Sequence, residues 1–143
     1  MRNQEWLENR LEYIQRRHFA DADISNPLFI KFGRKARTRL GSIKKKYPKS
    51  VFARLSGHFE TEITINSHFK DAIIPEYVID AVIGHELCHY VHGFSSPLPQ
   101  LARHPHKGGI VNNEMSERGM GELEKKQKRW IKQHWVEYLK KHH

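Results

Sequence analysis

The residues of this chain best suited to chemistry are His85-Glu86-Leu87-Cys88-His89. Two histidines four apart on a helix lie one above the other, with Cβ atoms about 5–6 Å apart. From there both imidazoles reach a single metal ion at about 2.0–2.1 Å each. The carboxylate between them stands where it can take a proton from a metal-bound water. This H-E-x-x-H spacing therefore predicts metal-assisted hydrolysis, with Glu86 as general base. Two helix histidines satisfied by ordinary core hydrogen bonds are the alternative.

A catalytic zinc site wants three protein ligands and one open position. The third ligand must come from downstream. His92 follows His89 on the same helix side and is expected to support the site or face the surface. The longer pattern H-E-x-x-H-x-x-G-x-x-H fails, because positions 92 and 95 are His and Ser. The candidates are His106, then His104, both in a loop shaped by Pro97, Pro99 and Pro105, and Glu114 from a following segment. Cys88 faces away from the two histidines by helical angle and is expected to be a packed thiol. His92, Tyr90 and His134 are the candidates for stabilising negative charge on a reacting carbonyl.

The elements around the motif follow from periodicity. Residues 75–93 read as a helix, with Pro75 at its start, Val78, Val82, Leu87 and Val91 toward a core, and Gly93 at its end. Residues 3–19 form an amphipathic helix on Trp6, Leu7, Leu11, Ile14 and His18. Residues 28–32 and 62–66 are strands, with 37–43 and 51–55 as weaker ones. Residues 121–141 make a long helix whose broad face carries Leu123, Gln127, Trp130, Ile131, His134, Trp135 and Tyr138. The expected architecture is α+β: a helical part over 1–22, a short sheet over 28–66, the motif helix over 75–93, a ligand loop over 94–110, and the final helix. A single domain over 1–143 is expected.

Composition sets the bounds. The chain has 143 residues, with 25 Lys and Arg against 16 Asp and Glu, a net charge of +9. Its one cysteine leaves no partner for an intramolecular disulfide, which favours a reducing, cytoplasmic setting. No apolar run is clean enough for a signal core or a membrane span. The charge is uneven: residues 31–54 carry ten Lys and Arg and no acid, whereas 55–100 carry one and six. With Phe32, Tyr47 and Phe52 interleaved, segment 31–54 suggests an alternative function, a non-catalytic zinc-containing module that binds nucleic acid there. An extended peptide substrate is expected to lie along the sheet edge beside Glu62–Asn66.

The chain resembles the SprT-like zinc metallopeptidases. The likeness runs through Arg39-Leu40-Gly41-Ser42, Ile63-Thr64-Ile65-Asn66, Ile74-Pro75-Glu76-Tyr77-Val78-Ile79-Asp80 and Val82-Ile83-Gly84-His85-Glu86-Leu87-Cys88-His89. It implies a small zincin-like fold and a zinc-dependent peptidase acting on protein or peptide. It implies His85 and His89 as ligands, Glu86 as catalytic base, and His106 as the best match to the third histidine, with His104 its rival. Where many relatives carry an aromatic after the third histidine, this chain has Ile110. The zinc ribbon of many relatives is absent here, since one cysteine cannot build it.

Overall fold

A computed structural model describes residues 1–100 and 109–143. Helix α1 (Gln4–His18) starts where the Asn3 side chain accepts a hydrogen bond from the Trp6 amide at 2.8 Å. Its three- and four-residue spacing buries Leu7, Leu11 and Ile14. Three strands follow: β1 (Leu28–Phe32), β2 (Gly41–Lys46) and β3 (Glu60–Ile65). The sheet order is β1-β3-β2, with β1 parallel and β2 antiparallel to β3. Register pairs Ile30 and Ile43 with Ile63.

Three expectations change here. Strand β3 is central, so its backbone is used on both sides and it offers no edge to a peptide. Strand β2 pairs with β3 on one side only, and begins at Gly41 instead of residue 37. Residues 51–55 form a short helix, α2 (Val51–Leu55), capped by Ser50, not a strand. Val51, Phe52 and Leu55 are exposed there, so no sheet neighbour selects the extended form that their side chains favour.

The central helix α3 (Glu76–Val91) is buried along most of its length, including Val78, Ile79, Val82, Ile83 and Leu87. It lies against β2 and β3, while α1 lies against β1 and α3. Arg10 of α1 grips Asp80 of α3 through two bonds, Nε to Oδ1 at 2.9 Å and Nη2 to Oδ2 at 2.6 Å. Such a bidentate pair fixes orientation as well as distance.

Helix α4 (Ile110–Glu117) occupies residues that periodicity had left between loop and tail; Val111 and Met115 anchor it. The tail runs as α5 (Gly121–Trp130), a π-helical turn (Ile131–Trp135) and α6 (Val136–His142). Trp135 and Tyr138 are buried as expected, but His134 is exposed and stands against the Trp130 ring. The observed class is α+β, with a small three-stranded sheet and several helices. Among the described residues no helix is long and apolar enough to cross a membrane.

Candidate metal centre and adjoining cavity

Helix α3 brings His85 and His89 together as their spacing demands. Their Nε2 atoms are 3.1 Å apart, with ring planes at 81°. Two ligands at about 2.0–2.1 Å from one tetrahedral ion stand about 3.3 Å apart. An N–H···N hydrogen bond occupies the same distance range, so the pair is shaped for either. His89 is buried and Phe94 packs edge-on against its ring.

Glu86 points to the neighbouring side of α3 and is 5% exposed. Burial pushes its carboxyl up to about 7, and the positive charge of Arg39 opposes that rise. Gly41, the first residue of β2, lies against it. A Cβ there would stand 2.6 Å from Val82 Cγ1 and 3.6 Å from Glu86 Oε1. Glycine thus lets the start of the half-paired strand β2 approach the candidate base, a role that Gly41 could not reveal by composition.

His85 and Glu86 open on a cavity of about 670 Å³. Its other walls come from Thr38–Gly41, from Ala81 and Val82 of α3, and from α5 and the π-helical turn. That size lies in the range of small-ligand sites.

The candidate supporting residues separate. His92 is buried, and its Nε2 lies 2.9 Å from Glu114 Oε1. The second Glu114 oxygen accepts from Arg118 Nε at 2.7 Å. Arg118 in turn donates to the His18 carbonyl at 2.8 Å and to Asp21 Oδ1 at 2.7 Å. Glu114 is therefore the middle of a clasp joining α3, α4 and the end of α1. Tyr90 donates its hydroxyl to Asn26 Oδ1 at 2.6 Å. None of His92, Tyr90 or His134 lines the cavity. Cys88 is buried as expected, and its thiol is pushed up to about 12 by that burial.

His104 and His106 lie outside the described residues. Among the described residues no third His, Cys, Asp or Glu joins the pair in a metal-ligating group. The chain on either side of 101–108 does return to the end of α3. Gly93 has φ +85°, and a Cβ on it would meet the Pro99 carbonyl oxygen at 2.4 Å and Gln100 Cα at 2.6 Å. Beyond the segment, Glu114 meets His92.

The basic segment is less free than its composition suggested. Lys31, Lys44 and Lys46 come within 3.3–3.5 Å of the Glu62 carboxylate. Lys45 lies over the Phe59 ring, and Tyr47 packs on that ring too. Phe52 stays exposed. Burial pushes the Glu62 carboxyl up, but Lys31, Lys46 and Lys44 outweigh it and hold the group below the ordinary glutamate range. A depressed folded pKa gives stability that is present above the unfolded value and lost as pH falls through the folded one. The stability gap between wild type and Glu62→Gln should thus be about 1 kcal/mol near neutrality and close in acid. Urea titrations across that pH range measure it; a gap that widens in acid would refute the assignment.

Comparison of the chain with protein-family models, with curated proteins and with solved structures finds no match.

Proposed function

We propose that the protein is a zinc-dependent peptidase of the SprT-like kind, with a zincin-like fold, working in the reducing cytoplasm on protein or peptide. The observation that carries this reading is the convergence of His85 and His89 Nε2 at 3.1 Å beside a buried carboxylate on an open cavity. Their donor set fits zinc, which is bound by imidazole nitrogen and needs an open position for catalysis. His85 and His89 would hold the ion, with His106 or His104 as the third ligand. The return of the chain at Pro99 and at Glu114 to the end of α3 supports a ligand from between them.

Zinc, when bound, supplies Lewis-acid polarisation of the scissile carbonyl and lowers the pKa of a water to about 7. Glu86 would take a proton from the attacking water and pass it to the amine that leaves. The half-paired edge of β2, beginning beside Glu86 at Gly41, offers backbone groups to an extended peptide.

The experiment is metal removal. Zinc-replete protein should cleave an unfolded protein substrate, lose that activity on chelation, and regain it with added zinc. Cleavage undiminished in the metal-free protein would overturn the reading.

A further inference from the structure

We propose that the cavity beside His85 and Glu86 is a subsite for a carboxylate group of the substrate, held by Arg39 and Lys132. This rests on the peptidase reading and names the substrate class that the site prefers.

Three cations line this cavity: Arg39 from the segment before β2, Lys128 from α5 and Lys132 from the π-helical turn. Two acids share it, Glu86 and Glu124. Glu124 is buried, and its Oε1 is 3.6 Å from Lys128 Nζ. Lys128 and Glu124 therefore balance each other. Arg39 and Lys132 are exposed and form no ion pair among the described residues, although the charge of Arg39 already acts on Glu86. Leu40, Ala81, Val82 and Ile131 supply apolar lining to the same cavity. Apolar lining beside two exposed cations suits a short aliphatic stem ending in a carboxylate, or the end of a chain.

Arg39 is also held in place. Asn66, 4% exposed, donates from Nδ2 to the carbonyls of Ala36 at 2.8 Å and Arg39 at 2.9 Å. Its backbone amide donates to the Leu40 carbonyl at 3.0 Å. Trp135 Nε1 donates to the Arg37 carbonyl at 2.6 Å, so the π-helical turn that carries Lys132 is fastened to the segment that carries Arg39. The two segments that carry the cations are thus tied to each other. π-Helical turns inside α-helices are frequent at functional sites.

A carboxylate can come from an acidic side chain or from a peptide's C-terminus. The test uses fluorescent alanine-leucine octapeptides bearing one Glu, Gln or Lys, each as free acid and as amide. Binding to zinc-loaded Glu86→Gln protein is read by anisotropy, which needs no turnover, and cleavage by wild type is read separately. The Glu peptide should bind about tenfold tighter than its Lys counterpart if the side chain is the source. If the C-terminus is the source, the free acid should exceed the amide by a similar factor. Either preference should vanish in Arg39→Gln/Lys132→Gln and reverse toward Lys in Arg39→Glu/Lys132→Glu. Equal binding of all peptides, or a preference that survives both double variants, overturns the subsite. A charge preference without any cleavage would keep the subsite and sink the peptidase reading. Cleavage without charge preference would do the opposite.

Discussion

Glu86→Gln should retain zinc and lose peptide cleavage by about 10²–10⁴-fold, the contribution expected of a positioned general base. The substitution keeps the volume of the side chain, which matters where Val82 and Gly41 close on it. It removes the one function that an amide cannot perform, accepting a proton from water. Folding should be unharmed, because a buried carboxyl gives way to a neutral group of the same shape. Three measurements on one sample separate the possibilities: zinc content, thermal midpoint and cleavage rate. A variant that keeps zinc and stability but still cleaves at the wild-type rate would remove Glu86 from the chemistry.

Glu114→Ala should show the converse pattern: zinc retained and stability reduced by about 3 kcal/mol. Its carboxylate lies between His92 and Arg118, whose side chains are only 5% and 9% exposed. Truncation leaves Arg118 with Asp21 and the His18 carbonyl but strips its charged partner on α4, and takes from His92, at the end of α3, that same partner. Breaking a buried pair from one side costs more than the pair is worth, because the remaining charge stays buried. Urea unfolding reads the loss of stability, and metal analysis shows whether zinc stays. Loss of zinc with unchanged stability would make Glu114 a ligand and not a clasp.

The motif helix was legible because 3.6-residue periodicity and the i, i+4 histidines point to the same element. Helix α1 and strands β1 and β3 were legible for similar reasons. The failures have local causes. Residues 51–55 are rich in residues that suit strands, yet α2 is exposed, so nothing in the sheet selects that form. In β3 nothing local told that Glu62 would be buried; a central strand between lysine-bearing neighbours does that.

The cavity was not legible at all. Its walls come from the segment before β2, from α3 and from the tail, which only tertiary packing brings together. Asn66 looked like the end of a strand, and nothing local marks it as the fastening for Arg39. The charge bias of residues 31–54 was visible, but not that Glu62 takes up three of its lysines while Arg39 joins the candidate site. His92 and Glu114 were both visible as candidates, whereas their mutual hydrogen bond depends on α4, an element that periodicity missed.

The central claim is that His85 and His89 hold one catalytic metal ion. It is tested most directly by zinc content per chain, measured by mass spectrometry after dialysis against a weak chelator, on protein without an added histidine tag. Wild type should hold one zinc, and His85→Ala/His89→Ala should hold close to none while remaining folded. Wild type without stoichiometric metal, or a folded double variant that keeps it, would contradict the account.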